Sequence, residues 1–114
     1  MHELGIVFHL IKMVDEVGEQ NSLTSVSRVT LTLGEVSGVI PDYLADCWKW
    51  AAEKDDLVRG SELVVEEAPA VTLCNACGRT YGTVAHGKIC PHCGSPDTVL
   101  ASGDEVELTS IEAC

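Results

Sequence analysis

A stripe of apolar side chains at helical spacing opens the chain and predicts a long amphipathic helix from Glu3 to about Glu19. The stripe consists of Leu4, Ile6, Val7, Leu10, Ile11, Met13, Val14 and Val17. Polar and charged residues fill the opposite side of the helix, where Phe8 stands alone as an apolar residue. Gly18 and the Asn21–Ser22 pair are signals for the end of this helix.

Alternation of apolar and polar residues replaces the helical period between Ser25 and Leu33 and predicts a half-buried strand. The apolar positions are Val29, Leu31 and Leu33, and the polar positions are Arg28, Thr30 and Thr32. Two more strands are predicted, at Ser61–Glu67 and at Glu105–Ile111. The short segment Thr98–Leu100 is expected to pair within the cysteine-containing region described below.

A second helix is predicted to begin at Pro41, since proline is favoured in the first turn of a helix. Its apolar face consists of Leu44, Cys47, Trp48, Ala51 and Ala52. We interpret Cys47 as a small buried apolar residue rather than a ligand or nucleophile. Tyr43 and Trp50 lie on the opposite face, where Trp50 is either part of a binding surface or packed against a neighbouring loop.

Two Cys-x-x-Cys pairs separated by twelve residues are the strongest chemical signal in the chain. The four cysteines are Cys74, Cys77, Cys90 and Cys93. Each pair can form a tight turn that directs two thiolates at one point, and two such turns complete the tetrahedral site that Zn²⁺ prefers. Gly78 and Gly94 follow the two pairs, where such turns often require a positive φ. The alternative is a pair of disulfides.

Together these elements predict an α+β fold in which two helices pack on a small mixed three-stranded sheet, with an inserted zinc-ribbon domain. The predicted boundaries are residues 1–69 with 103–114 for the α/β domain and 70–102 for the ribbon. The two connections, around Ala68–Ala70 and Ser102–Asp104, are candidate hinges.

The charge balance argues against a nucleic-acid partner. The chain has 18 Asp and Glu residues against 7 Lys and Arg, a formal net charge of −11. Binding to phosphate backbones depends on Lys and Arg that release counterions, so this surface is unsuited to it.

The apolar N-terminus does not resemble a signal peptide, because Glu3 stands where a positive region is expected and Lys12 interrupts the apolar run. No apolar stretch is long enough to span a bilayer. We therefore expect a cytoplasmic protein whose thiols stay reduced. Paired thiols in such a protein indicate metal ligands rather than disulfides. No Ser-His-Asp, Cys-His or phosphate-binding motif is found, so an enzyme is not expected.

Several segments in order resemble the HypA/HybF family of nickel-incorporation proteins. They are the initial MHELG, the strand VTLTLGEVSGV, a helix opening with Pro-Asp, and CNACG, CPHCGS and SGDEVELTSIE near the end. The resemblance covers essentially the whole chain, and the combination of Met-His-Glu with the late cysteine motif is its most specific part.

The resemblance implies a metallochaperone that passes Ni²⁺ toward the large subunit of [NiFe]-hydrogenase, working with a HypB-type GTPase. It assigns nickel to Met1, His2 and Glu3 and zinc to the four cysteines. Some family members carry histidine after each cysteine pair, where this chain has Gly78 and Gly94, so the associated acid-sensing role is not transferred. Cys114 is outside the family pattern. Open sheet edges are compatible with a homodimer.

The N-terminus can chelate nickel through nitrogen atoms alone. The α-amino group of Met1, the amide and imidazole of His2 and the amide of Glu3 can supply four nitrogens in a plane, which suits Ni²⁺ and also Cu²⁺. His9 lies about two turns further along the helix and could assist only if the terminus folded back.

Two other functions fit parts of this pattern. Cys-x-x-Cys-Gly and Cys-Pro-x-Cys-Gly also suit iron in a four-thiolate cage, as in a rubredoxin-like electron carrier. A zinc-ribbon interaction module is the second alternative, and binding to nucleic acid by such a ribbon is disfavoured by the charge.

Overall fold

The computed structural model describes residues 3–114, which form three helices and two three-stranded sheets. The elements in order are α1 (Glu3–Gln20), β1 (Val26–Gly34), α2 (Pro41–Ala52), β2 (Glu62–Ala68), β3 (Val71–Cys74), β4 (Thr80–Gly82), α3 (Thr83–His86), β5 (Thr98–Ser102) and β6 (Val106–Ala113). The predicted α+β fold is confirmed. α1 and the strands β1, β2 and β6 begin and end within about two residues of their predicted positions, and α2 begins at Pro41 as predicted.

The chain divides into two compact units. The first contains the residues up to Thr32 together with Val39–Glu66 and Glu107–Cys114. The second contains Leu33–Gly38 and Glu67–Val106. The domain boundaries at residues 70 and 102 remain a prediction.

The first unit buries one face of each helix. The predicted apolar face of α2 is buried in full, at Leu44, Cys47, Trp48, Ala51 and Ala52. From the apolar stripe of α1, Val7, Leu10, Ile11 and Val14 are buried, whereas Leu4 is exposed. Trp48 is the largest buried side chain, and its indole N–H donates to the Ser61 hydroxyl at 3.1 Å. Such a partner is what a buried indole requires.

The sheet of the first unit is mixed, with the strand order β2-β1-β6. β1 begins beside the segment that precedes β2, because the N–H of Val26 donates to the Leu57 carbonyl. At the other end of the two strands, the Glu35 N–H donates to the Ala68 carbonyl, so β1 and β2 run in the same direction. A parallel pair needs a crossover connection, which α2 provides. β6 runs antiparallel to β1, since Thr24 pairs with Cys114 and the hydroxyl of Thr32 contacts that of Thr109 at 2.5 Å.

The central position of β1 explains one departure from the simple alternation predicted for it. Val29 and Leu31 are buried as expected, but Thr30 is also only 9% exposed. A strand with a neighbour on each side has less open surface on its second face than an edge strand has.

Gly18 does not end α1, which continues to Gln20. A Cβ at this position would overlap the Leu57 side chain, so glycine permits close packing here. The helix ends instead at Ser22, which adopts a positive φ of 55° while the Leu23 N–H donates to the Gly18 carbonyl. This is the hydrogen-bond pattern of a Schellman ending with serine in the position usually taken by glycine.

The second unit contains the cysteine ribbon, whose strands follow the order β4-β3-β5. β3 pairs antiparallel with both neighbours, with Thr72 opposite Tyr81 on one side and opposite Leu100 on the other. Of these elements only the pairing of Thr98–Leu100 was predicted. β3, β4 and the single turn α3 are too short for a periodicity to be seen in the sequence.

The segment after β1 is bonded to both chain connections that lead to the ribbon. The Glu35 carboxylate accepts from the Ala70 N–H at 2.9 Å, and the Val36 N–H donates to the Gly103 carbonyl at 2.8 Å. A Cβ at Gly34 would overlap the Gly103 carbonyl, so the backbones approach too closely for any other residue. Both predicted hinges thus make hydrogen bonds to one segment of the same unit.

Candidate metal centre

Two turns of the same construction carry the four cysteines. In the first, the Cys74 N–H donates to the Arg79 carbonyl and the Gly78 N–H donates back to the Cys74 carbonyl. The second repeats this arrangement, with Cys90 bonded to Ser95 and to Gly94. Gly78 and Gly94 both have φ of 76°, which confirms the predicted requirement for glycine at these two positions.

The four thiols converge on one point. All four sulfur atoms lie within 4.8 Å of one another. The Cys74 and Cys93 sulfurs are 3.5 Å apart, and those of Cys77 and Cys90 are 3.7 Å apart. A tetrahedral zinc site with Zn–S bonds of about 2.3 Å separates its sulfurs by about 3.8 Å. The donor set and its spacing therefore fit Zn²⁺, and all four thiols are free of disulfide bonds.

The two cysteines of each turn differ in exposure. Cys74 and Cys90, the first residue of each pair, are buried, whereas Cys77 and Cys93 are exposed. Each turn thus contributes one buried and one exposed cysteine to the cluster.

The thiols of the cluster differ in acidity. At Cys90, burial opposes ionisation but is outweighed by hydrogen bonds from the backbone N–H groups of Cys93 and His92, so the pKa is lowered from 9.0 to about 6. At Cys93 the N–H of Ser95 favours the thiolate, but hydrogen bonds with neighbouring thiols and burial raise the pKa to about 12. The backbone hydrogen bonds to Cys90 thus favour its thiolate, which is the form that binds a metal ion.

The predicted nickel ligands Met1 and His2 lie outside the described residues. Glu3, the third, is the first residue of α1 and is 6% exposed. Because the first N–H groups of a helix have no partner within the helix, the backbone nitrogen at this position is not committed to a helical hydrogen bond. Within residues 3–114, the four cysteines are the one group of three or more His, Cys, Asp or Glu side chains placed to hold a metal ion.

The other singled-out residues lie apart from the cysteine cluster. Cys47 is buried in the first unit, which confirms its interpretation as a core residue. His9 is exposed on α1. Cys114 is exposed, and its backbone pairs with Thr24 and Ser25 at the end of β6.

Phe8 and Trp50 form a pair that sequence patterns did not predict. Their rings meet edge to face with centroids 6.3 Å apart, and the ammonium group of Lys54 lies 4.4 Å from the centre of the Trp50 ring. Each residue falls on the polar side of its own helix, and only the packing of α1 against α2 brings them together. Trp50 is therefore packed against a helix rather than a loop, while remaining 54% exposed.

A pair of carboxyl groups in the first unit was also missed. Burial, a hydrogen bond to the Asp55 carboxyl and the charge of that group raise the pKa of Asp15 from 3.8 to about 7. Asp55 in turn accepts from the N–H groups of Leu57 and Val58 at 3.0 and 3.2 Å. Forty positions separate the two residues, so no local pattern in the sequence marks the pair.

No helix among residues 3–114 is long and apolar enough to cross a membrane.

Known proteins resemble this chain along its whole length. Residues 1–113 match the family described as "Hydrogenase/urease nickel incorporation, metallochaperone, hypA". A hydrogenase maturation factor HypA of Chlorobaculum parvum is 36% identical over 111 residues, which cover 97% of each chain. Another, from Streptomyces avermitilis, is 33% identical over 97% of this chain and 86% of its own length.

Solved structures show that the fold is shared as well. The solution structure of the Ni metallochaperone HypA from Helicobacter pylori superposes with a TM-score of 0.76 at 23% identity. The match covers 99% of this chain and 97% of that one. Because its sequence matches this family over residues 1–113, the chain belongs to the HypA family of metallochaperones for nickel incorporation.

Proposed function

We propose that this protein binds one Ni²⁺ ion at its N-terminus and delivers it to a [NiFe]-hydrogenase during maturation, while zinc in the cysteine cluster has a structural role. The observation that carries the proposal is the combination of a family match over residues 1–113 with four convergent thiols. The thiols account for zinc and leave the N-terminal Met-His-Glu as the separate site for the transported metal.

The nickel ligands are the α-amino group of Met1, the amide and imidazole nitrogens of His2 and the amide nitrogen of Glu3. Four nitrogen donors in a plane match the geometry preferred by Ni²⁺. The start of α1 at Glu3 supports this assignment, since the first backbone N–H groups of a helix are not used within it. Cu²⁺ binds such a site more tightly by intrinsic affinity, so selectivity depends on metal supply and on the partner.

Zinc bound by Cys74, Cys77, Cys90 and Cys93 fixes the two turns of the ribbon relative to each other. The metal supplies charge balance for four thiolates and folding free energy to a unit with few buried apolar side chains. The donor set of sulfur atoms suits zinc, and the N-terminal nitrogen donors suit nickel, so the two metals are assigned to different sites.

The proposed partners are a HypB-type GTPase and the large subunit of the hydrogenase. The protein works with the GTPase and passes nickel toward the large subunit. Curated relatives named hydrogenase maturation factor HypA support a role in that process. We infer that the protein acts in the cytoplasm, because a four-thiolate metal site depends on reduced cysteines. No catalytic step is required of the protein in this role.

Calorimetric titration with Ni²⁺ tests the N-terminal site on three zinc-loaded proteins: the native chain, His2→Ala, and a chain extended by residues before Met1. The native chain is expected to bind one equivalent, and the other two should lose that binding while keeping their zinc. Affinity should also fall as the pH drops below about 6.5, because the amine and the imidazole must be neutral to bind.

Metal analysis of the same preparations separates this proposal from its alternatives. An extended protein with native nickel affinity would rule out a site anchored on the α-amino group. Iron with the red colour of a four-thiolate centre, in place of zinc, would support an electron carrier instead.

A further inference from the structure

An open apolar groove runs between the outer parts of α1 and α2. It is lined by Leu4, Tyr43, Asp46, Cys47 and Trp50, and its volume is about 250 Å³. The lining is almost entirely apolar, and Asp46 is its one charged residue. We refer to it as the α1–α2 groove.

Large apolar side chains remain in water around this groove. Tyr43 and Trp50 are each 54% exposed, Phe8 is 46% exposed and Leu4 is 37% exposed. Single exposed apolar residues are common on protein surfaces, but a continuous group of four around one depression marks an interaction site. Aromatic residues in such positions often provide most of the binding energy of an interface.

Trp50 is held in position before any partner binds. The Phe8 ring contacts it edge to face with centroids 6.3 Å apart, and the Lys54 ammonium group lies 4.4 Å from the ring centre. A side chain already restrained in this way loses less conformational entropy on binding than a free one does. The wall of the groove is therefore preorganised.

The size of the groove indicates what it accepts. Sites for cofactors and drug-sized molecules usually have volumes of about 300–1,000 Å³ and enclose most of the ligand. A smaller and open groove between two helices fits one or two apolar side chains projecting from the helix of another protein.

Charge indicates the rest of the occupant. Asp42 lies one turn before Asp46 on α2, and both carboxylates are exposed on the side of the helix that borders the groove. The chain as a whole carries a formal charge of −11. A helix whose lysine or arginine side chains face Asp42 and Asp46 is complementary to that edge of the groove, while its apolar side chains face the Trp50 edge, where Lys54 would repel a basic group. A second copy of this acidic chain would be repelled.

We propose that the α1–α2 groove is the docking site for a basic amphipathic helix of the protein that exchanges nickel with this chain. An apolar side chain of that helix inserts beside Tyr43 and Trp50, and its basic side chains pair with Asp42 and Asp46. The inference rests on the proposed function, because Leu4 directly follows the three proposed nickel ligands. A partner seated in the groove is therefore close to the start of α1, where Glu3, the third proposed ligand, lies.

Three synthetic peptides of about 18 residues test the groove, a length at which an isolated helix begins to be stable. The first carries Leu and Phe at helical spacing with Lys on its other face. The second replaces each Lys by Glu, and the third keeps Lys but replaces Leu and Phe by Ala. Each is titrated into the zinc-loaded, nickel-free full-length protein by calorimetry, with tryptophan emission recorded in parallel.

The first peptide should bind and shift the emission of Trp50 to shorter wavelength, since Trp48 is already 1% exposed and cannot become more buried. The other two peptides should bind at least about tenfold more weakly. Trp50→Ala should also weaken binding of the first peptide about tenfold or more. Asp46→Asn should weaken it several-fold at low salt and much less at high salt, because salt screens exposed charges.

Val84→Ala is the matched control, since Val84 is an apolar residue of the ribbon that is 66% exposed. Its affinity for the first peptide should equal that of the native chain. Equal binding of all three peptides, or native affinity in Trp50→Ala, would overturn the proposal. A dimer in sedimentation experiments that Trp50→Ala dissociates would also overturn it, by assigning the groove to a second copy of the chain. The peptide titrations use nickel-free protein, so they do not depend on the nickel titration. Failure of the nickel titration would refute the N-terminal site and leave the peptide results unchanged.

Discussion

The two units of this protein are stabilised by different means. The first buries Trp48, Leu31 and Leu44 almost completely, together with many smaller apolar side chains. In the second, the ribbon cluster of buried residues consists of Cys74, Tyr81 and Cys90, two of which are predicted metal ligands. A hydrophobic core stabilises the first unit, whereas the second depends on what its thiols bind.

The apolar residues of the ribbon make this difference plain. Val84, Ile89, Val99 and Leu100 are between 37% and 66% exposed, so most of the ribbon's large apolar side chains contribute little to burial. Such a small unit lies below the size at which a hydrophobic core suffices. Two units of one short chain thus respond differently to the same solution conditions, and this difference can be tested.

Removing a zinc ligand should have the largest effect, and it should fall on the second unit alone. In Cys74→Ser or Cys93→Ser, zinc should be lost and residues 70–102 should become disordered. Structural zinc contributes an apparent free energy of about 10–16 kcal/mol in small domains, more than the ribbon could otherwise supply. Zinc content and amide hydrogen exchange in β3 and β5 measure the result.

Cys114→Ser is the control for this experiment, because Cys114 is exposed and lies outside the cluster. It should keep its zinc and its ribbon. A Cys93→Ser protein with one full equivalent of zinc and native exchange rates would show that the site assignment is wrong.

Trp48→Ala should have the next largest effect, this time on the first unit. Truncating so large a buried side chain should lower the free energy of unfolding by about 3–5 kcal/mol. It also leaves the Ser61 hydroxyl without the indole donor. The denaturant concentration at the midpoint of helix unfolding should therefore fall, while the zinc content of the protein stays unchanged.

Trp50→Ala provides the matched comparison two positions away on the same helix. Trp50 is 54% exposed, so its replacement should cost about 1 kcal/mol or less despite the loss of contacts to Phe8 and Lys54. Equal destabilisation by both variants would contradict the placement of Trp48 in the core.

Close backbone packing near the base of the ribbon predicts a smaller effect. Gly34→Ala should destabilise the second unit by about 2 kcal/mol or more, because the new Cβ overlaps the Gly103 carbonyl. Gly82→Ala is the control, since a Cβ there has open space around it and the backbone has no positive φ. Thermal unfolding of both variants, loaded with zinc, measures the difference. Equal melting temperatures for Gly34→Ala and Gly82→Ala would refute the close approach of Gly34 to the Gly103 carbonyl.

The carboxyl pair predicts a smaller effect than Gly34→Ala, with a particular pH dependence. Because the folded-state pKa of Asp15 is about 7 and its ordinary value is 3.8, the folded chain holds an extra proton between these pH values. Stability should therefore fall as pH rises from about 4 to 7 and then change no further from this cause. After allowance for solvent screening, the ionised Asp15 carboxylate should lower the free energy of unfolding by on the order of 1–2 kcal/mol at pH 8.

Asp15→Asn tests this effect because it removes the charge but keeps the size and hydrogen-bonding capacity of the side chain. The variant should be more stable than the native chain at pH 8, and the difference should disappear near pH 4. Urea unfolding at several pH values measures it. A variant that is less stable than the native chain at pH 8 would contradict the raised pKa.

Sequence patterns predicted the elements that have a long, clear period. The helices α1 and α2 each keep a helical period over twelve residues or more, and β1 alternates over six residues from Arg28 to Leu33. The buried face of α2 was predicted residue by residue. The convergence of the four thiols followed from their spacing, because a Cys-x-x-Cys turn closes on itself through local hydrogen bonds.

Short elements and long-range pairs could not be predicted in this way. β4 has three residues and α3 has four, too few to show a period. Glycine is common just after the end of a helix, so Gly18 is a predicted end signal, yet it lies inside α1 and packs against Leu57. Close packing with a residue distant in the sequence leaves no local signal.

The sequence by itself determined where the long helices and strands form, where a metal ligand cluster forms and which family the chain resembles. These features depend on local periodicity, turn geometry and ligand spacing, which involve residues that lie close together in the sequence. Only the tertiary structure decided that Phe8 meets Trp50 beside an open groove, and that Asp15 meets Asp55, which raises the pKa of Asp15. These contacts join residues about forty positions apart, and they form because burial of the apolar faces of α1 and α2 fixes how the chain folds back on itself.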